Sequence, residues 1–248
     1  MQLYFIRHAQ SENNAHYGDE NYLESHDPLL TTLAYDQVDH LVVFLRNNQR
    51  IQNEFDWNPQ NRYGFGITHL YTSLMVRAVR TAYPIAHAVG LPLHAWQEIH
   101  ETGGVFSRVP EENRVGLPGN SRSYFESTFP NLILPDWLDE SGWWKKQPFE
   151  KEEVRDIRAK KVWADLLVKH GDLKGQAEHH VAMVSHGGFF MHLLATALNI
   201  ELHRNEAFEH QYWFLMNNCG ITRLDVSNDH VQVSYINRTD FLPDYLIT

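Results

Sequence analysis

The sequence predicts an α/β fold: a three-layer α/β/α sandwich around a mostly parallel central sheet, carrying a cap-like insertion. Apolar runs of strand length alternate with amphipathic helical patterns at both ends of the 248-residue chain. That alternation builds parallel sheets covered on both faces. Residues 103–149 break the rhythm, being rich in Gly, Pro, Asn and aromatic residues with no clean period. One domain is expected over residues 1–248, with the insertion folding over the C-terminal edge of the sheet. Trp137, Trp143 and Trp144 argue that this insertion is ordered rather than an unstructured linker.

The elements follow in order. Gln2–Arg7 is an apolar run suited to a buried strand. Thr31 or Thr32 can cap a helix that lines up Leu33, Val38, Leu41, Val42 and Leu45. Gly66–Ser73 reads as a strand, and Leu74–Val89 as a helix closed by Gly90. Leu93–Ile99 is a weaker strand. After the insertion, Glu150–His170 is a long amphipathic helix ended by Gly171. His180–Ser185 is a strand and Gly188–Asn199 a helix. Gln211–Met216, Gly220–Val226 and Val231–Asn237 read as closing strands, with a turn at Ser227-Asn228-Asp229.

Composition narrows the function. Hydrophobic residues make up 43% and charged residues 21%, enough for a sizeable core. A formal net charge of −10 argues against nucleic acid or an anionic membrane as partner. An anionic small molecule stays compatible, because a cleft can be locally positive on an acidic body. Cys219 is the single cysteine, so a disulfide framework is excluded and a reducing compartment is expected. The first strand begins at once, leaving no room for a leader, and no run approaches membrane-spanning length. A cytoplasmic location is the expectation. Homo-oligomerisation is left open.

Two of the sixteen histidines stand out by position. The first strand ends Phe5-Ile6-Arg7-His8-Ala9-Gln10-Ser11, followed by Glu12-Asn13-Asn14. A later one ends Val184-Ser185-His186-Gly187-Gly188. Strand ends in α/β proteins hold loops rigidly toward a solvent-facing edge, where sites form. A third strand end carries Tyr71-Thr72-Ser73-Leu74-Met75-Val76-Arg77. In this order the three motifs resemble the histidine phosphatase superfamily, which contains cofactor-dependent phosphoglycerate mutases and many acid-type phosphatases. Leu29-Leu30-Thr31-Thr32-Leu33-Ala34-Tyr35-Asp36-Gln37 looks like that family's Leu-Thr-x-x-Gly-x-x-Gln helix start.

The chemistry calls for these residue types. A phosphate monoester is nearly dianionic, so a neutral imidazole nitrogen attacks phosphorus without the repulsion an anionic nucleophile meets. The resemblance implies that His8 becomes a phosphohistidine. It implies that Arg7, Arg77 and His186 surround the phosphoryl oxygens, that Asn14 is a polar contact, and that the Gly187 amide approaches an oxygen closely. Neither a metal nor a cofactor is needed in that scheme. The leaving oxygen also needs a proton, which the family takes from a glutamate after the third strand. Glu98 and Glu101 both fit; Glu101 is preferred because it sits directly before the Gly103-Gly104 turn.

Two departures from the family pattern matter. Ala9 stands where glycine is common, which is acceptable if its methyl points away from phosphate. Residues 16–28 lack the tryptophan-containing segment of the mutases, which weakens that reading. The remaining histidines, including Glu178-His179-His180, give no metal-site spacing.

The leading expectation is a phosphatase that hydrolyses phosphate monoesters of a small molecule. Within it, Arg108, Arg114, Arg122, Lys145 and Lys146 of the insertion would bind further anionic groups. Tyr124, Phe125 and the tryptophans would pack on the leaving group. The alternatives are mutase-type phosphotransfer and a non-catalytic binding module.

Overall fold

The computed structural model describes residues 1–46, 58–107, 114–171, 177–202, 212–227 and 230–248. β1 (Gln2–Arg7) leads through a short α1 (Glu12–Ala15) to α2 (Thr32–Leu45). Then come β2 (His69–Thr72), α3 (Val76–Val89) and β3 (Leu93–Ala95). The insertion supplies α4 (Arg122–Thr128) and β4 (Leu132–Ile133). α5 (Glu152–His170), β5 (His180–Ser185), α6 (Gly187–Ala197), β6 (Ile221–Ser227) and β7 (His230–Arg238) complete the order.

One sheet runs β4-β3-β2-β5-β1-β6-β7. Its first five strands are parallel, and β6 and β7 add an antiparallel hairpin beyond β1. The apolar run of β1 is buried on both faces, as a central parallel strand should be. Tyr4 and Ile6 face a core with α2 and α3, whereas Leu3 and Phe5 face one with α5 and α6. These are the two outer layers that the sequence predicts. Among the described residues no helix is long and apolar enough to cross a membrane.

Several expected boundaries move, each for a local reason. The Gly66–Ser73 run pairs only from His69, because Gly66 takes a left-handed turn at φ 59°. The Leu93–Ile99 run is a strand for three residues and then a 3₁₀ turn at Gln97–Ile99. There Arg158 of α5 takes the carbonyls of Glu98 and His100 at 2.7 and 3.0 Å, withdrawing them from any ladder. Residues 212–216 are not a strand at all, and Gln211 lies outside the described residues. β1 already has β5 and β6 on its two sides, and the Met216 carbonyl serves Arg7 instead. Asn228 and Asp229 of the expected turn also lie outside. The insertion also extends the sheet: β4 pairs with Leu93 and His94 as an edge strand.

One buried ion pair fastens the insertion's exit to the sheet edge. Arg158 donates through Nε and Nη2 to both oxygens of Glu150, at 2.6 and 2.7 Å, and both side chains are nearly sealed. Glu150 also accepts from the Gly103 amide, while its own amide donates to the Gly103 carbonyl. The guanidinium thus holds the 98–103 loop from both ends. Removing one member of such a pair leaves a buried, uncompensated charge. Glu150→Ala should therefore cost about 3–5 kcal/mol in urea unfolding. The apolar double variant Glu150→Leu/Arg158→Met should cost less than that single change.

Candidate active site

The parallel register places Arg7 opposite Ser185, so His8 and His186 leave adjacent strands at the same edge. Their rings lie 5.0 Å apart, centroid to centroid. Ala9, next in the chain, is fully buried and packs in the core with α2 and α3, which points its methyl away from the site. Its amide donates to Thr81 Oγ1 of α3 at 3.0 Å. Behind the following turn, Gln37 of α2 accepts the Gln10 amide at 2.8 Å and donates to the Leu246 carbonyl. Thr31 caps α2 through the Ala34 amide and donates to the Gln10 side chain at 2.9 Å. The Leu29–Gln37 motif is thus the brace of the His8 loop.

Two hydrogen bonds define the state of His8. Its Nδ1 lies 2.7 Å from the Ala9 carbonyl, an acceptor, so that nitrogen carries the proton. Arg77 Nε, a donor, points at His8 Nε2 from 3.2 Å, so that nitrogen presents its lone pair. Burial, and then the Arg77 and Arg7 guanidinium groups, hold the imidazole well below the usual histidine range. The result is a neutral ring with its unprotonated nitrogen against a cation.

Arg77 is itself fixed by Asp27, whose carboxylate lies 3.6 Å from Nη1. Asp27 also accepts the Val76 amide at the start of α3, and the Asn120 side chain from the insertion. Burial pushes Asp27 up to about 6, against the pull of Arg77. Its role escaped the sequence, because 49 residues separate it from the helix it caps. Asn218 is a second addition: it donates to the His8 carbonyl at 2.9 Å and to Asn14 Oδ1 at 3.2 Å. Asn14 Oδ1 further accepts from Ser11, which leaves the Nδ2 group as the donor of that amide.

Glu101 occupies the N-terminus of α6. Its two oxygens accept the amides of Gly188 (3.3 Å) and Phe189 (3.0 Å), and Oε1 also takes the Thr102 amide at 2.8 Å. The close approach requires Gly188, because a Cβ there would lie 2.5 Å from Glu101 Oε1. A Cβ on Gly187 would touch Arg7 only at an ordinary 3.5 Å, so among the protein groups around these two residues the steric demand for glycine falls on Gly188. Glu98, the other candidate, turns to the surface and pairs with Lys161 at 2.8 Å.

Two adjoining cavities result. The smaller, about 100 Å³, is lined by His8, Arg77, Asn14 and Glu101 with Thr102, Gly104 and Phe106 of the insertion's start. The larger, about 630 Å³, shares Asn14 and Glu101 and is walled by Arg7, Gly187, Tyr17 and the 213–216 segment. His186 stands behind His8 and lines neither. Its Nε2 bonds Ser73 Oγ at 2.9 Å, while its buried Nδ1 has no partner. Arg7 Nε is likewise buried without one.

The insertion residues expected to meet substrate have partners of their own or lie away from both cavities. Arg122 donates to the Leu138 and Pro135 carbonyls, Lys145 pairs with Asp139, and Phe125 is core. Arg114 lies over the Phe149 ring. Tyr124, Lys146 and the three tryptophans line neither cavity, and Arg108 is outside the described residues.

The family model described as "Histidine phosphatase superfamily (branch 1)" matches residues 60–239, a span that includes Arg77, Glu101 and His186 and begins after His8. No curated protein sequence matches the chain. Among solved structures, phosphoserine phosphatase from Entamoeba histolytica in complex with 3-phosphoglyceric acid is similar at TM-score 0.57 and 17% identity, covering 98% of this chain and 99% of that one. A mycobacterial glucosyl-3-phosphoglycerate phosphatase in complex with VO3 is similar at TM-score 0.58 and 17% identity, covering 96% and 99%. At this identity the likeness is one of fold.

The buried neutral histidines set a pH dependence. Burial holds His8, His100 and His186 low in the folded protein. Below about pH 6.5 the unfolded chain binds protons on them that the folded chain refuses. Stability should thus be complete above that pH and fall with acid by about 1.4 kcal/mol per pH unit for each. Asp27 runs the other way: between its unfolded range and about 6 the folded state holds the extra proton, offsetting one histidine. Urea unfolding across a pH series should show the net loss. A flat profile from neutral to about pH 5 would mean these rings are not buried neutral.

Proposed function

This chain belongs to the histidine phosphatase superfamily (branch 1), and we propose that within it the protein hydrolyses phosphate monoesters of a small molecule through a phosphohistidine on His8. The observation that carries the reading is the state of His8: a neutral imidazole whose Nε2 lone pair faces a buried arginine in a cavity shared with Glu101. Enzymes of this class need a nucleophile without negative charge beside cations that accept the phosphoryl oxygens.

In the proposed sequence the arriving phosphate draws Arg77 off Nε2 and onto its own oxygens. Nε2 then attacks phosphorus in line, and the bond to the leaving oxygen breaks with its electron pair. Glu101, carrying a proton taken up as the dianion enters beside it, gives that proton to the leaving oxygen. Water attacks the phosphohistidine in the second step, returns a proton to Glu101, and releases inorganic phosphate with His8 neutral again. Arg7, Arg77 and Asn14 offer donors to the spread charge, so the step calls for no metal or cofactor. The unpartnered Arg7 Nε is a buried donor beside the larger cavity that a phosphoryl group would satisfy.

The substrate's organic part is assigned to the larger cavity. Tyr17, Trp213 and Leu215 are 90%, 66% and 61% exposed, an apolar wall beside Arg7 rather than beneath the insertion. Such a wall suits a phosphate ester with a partly apolar body. Ester, and not acceptor, specificity should change when it is altered.

A phosphate-ester panel tests this, including phosphoserine and glucosyl-3-phosphoglycerate, which name the two related structures. His8→Ala should abolish turnover and the acid-labile phosphoenzyme. Turnover that survives in it would sink the mechanism. Glu101→Gln should lower kcat by about 10²–10⁴-fold, and Arg77→Ala by about 10²–10³-fold. Gly188→Ala should act like a weaker Glu101 variant, because the methyl displaces the carboxylate. Transfer to added 3-phosphoglycerate in preference to water would replace hydrolysis by mutase chemistry.

A further inference from the structure

Three histidines meet at the end of the sheet opposite His8. β2 begins with His69, α5 ends with His170, and His179 immediately precedes β5. One ring nitrogen from each falls within 4.8 Å of the others. The ring centroids lie 4.5 Å (69–170), 4.4 Å (69–179) and 5.2 Å (170–179) apart. We propose that His69, His170 and His179 form a binding site for a zinc-class divalent cation, remote from the phosphatase centre.

One ligand pair already stands near the spacing that coordination needs, and the third nitrogen, within 4.8 Å, would close onto the ion. His170 Nδ1 and His179 Nδ1 are 3.0 Å apart. Two nitrogens at 2.0–2.1 Å from a tetrahedral Zn²⁺ stand about 3.3–3.4 Å apart, so this pair opens by only a few tenths of an ångström. The far nitrogens are already held by hydroxyls. Tyr71 OH lies 2.9 Å from His170 Nε2, and Thr68 Oγ1 lies 2.8 Å from His69 Nδ1. Metal-bound imidazoles are oriented in this way, by a partner on the ring nitrogen that does not bind the ion. Here those bonds direct His170 Nδ1 and His69 Nε2 toward the ion.

The donor set selects the ion. Three imidazoles suit Zn²⁺, Co²⁺, Ni²⁺ or Cu²⁺, whereas Mg²⁺ and Ca²⁺ require oxygen ligands that these residues do not offer. His170 is buried while His69 and His179 are half-buried, so the site has a wall and an opening, with a fourth position for water. Loss of a ligand would unfasten α5 from the entries of β2 and β5. The site would thus clamp three elements of the sheet's N-terminal end. It takes no part in phosphoryl transfer at the other end.

The test uses the untagged full chain stripped of metal. Titration with Co²⁺ should give one equivalent with the visible absorption of a tetrahedral nitrogen site. Zn²⁺, added against a chromophoric chelator, should displace it. Zn²⁺ should also raise the unfolding temperature. His69→Gln and His179→Gln, both at half-exposed positions and checked for folding by circular dichroism, should each weaken binding by about 10- to 100-fold and abolish the thermal shift. Phosphatase turnover in both should match the parent chain. Absence of stoichiometric uptake by the parent chain, or uptake undiminished in both variants, would overturn the site.

Discussion

The pairing of β1 with β5 is the constraint on which the site depends. Residue for residue, Gln2 to Arg7 lies beside His180 to Ser185, and the His8 amide continues the ladder into the Ser185 carbonyl at 2.9 Å. Because side chains alternate across a strand, a slip of one residue would turn every one of these positions to the opposite face. The register is defended from both sides of the sheet, since Tyr4 and Ile6 fill one core while Leu3 and Phe5 fill the other. β2 then joins β5 so that Ser73 meets His186, and Ser185 Oγ reaches across to the Ile99 carbonyl just before Glu101. The chemistry is assembled as a by-product of an apolar register.

That assembly is held under electrostatic tension. His8, Arg77 and His186 are taken out of water and Arg7 largely so; two of the four are cations, and the other two are imidazoles that could become so beside them. The compensation comes from carboxylates seated on helix N-termini. Asp27 takes the first amide of α3 and Glu101 takes two amides of α6. These are the positions where a helix would otherwise offer its own donors to phosphate. Here the dipoles anchor acids, and side-chain cations are left to meet the substrate. The arrangement separates the two tasks: α6 fixes the proposed proton donor, and α3 fixes the arginine through its counter-ion.

Much of this was readable because it is local. A strand, its terminal histidine and the following loop are contiguous in sequence, so Arg7-His8 and His186-Gly187 announced themselves, as did a cap at Thr31 or Thr32 and the motif that ends at Gln37. Asp27 and Asn218 did not, since the groups they serve lie 49 and 210 residues away and no periodicity encodes that distance. The partners of the insertion's charges were illegible for a different reason. Arg122 and Lys145 satisfy carbonyls and an acid of a segment that lacks a regular ladder, which is what an irregular chain must do with its polar groups. Conversely, the apolar run at 212–216 looked like a strand because apolar alternation does not say whether a sheet has an edge to offer. The cluster of His69, His170 and His179 was hidden because its members come from three elements brought together only by the sheet.

The net charge of −10 bears on how such a pocket captures a dianion. Viewed as a uniform body the protein would repel its substrate. Exposed charges more than about 8 Å away are largely screened at physiological ionic strength, whereas charges in a water-poor pocket are screened much less. The relevant field is therefore that of Arg7 and Arg77, diminished by Asp27 and Glu101, and not that of the acidic surface. Near balance in the empty site follows from folding, because two unopposed guanidinium groups at the sheet edge would be costly to bury. A phosphoryl group tips that balance by adding charge where donors are already oriented. The same reasoning explains why Asp27 sits on the far side of Arg77 from His8. A counter-ion there holds the guanidinium in place without competing for the nitrogen proposed to attack phosphorus.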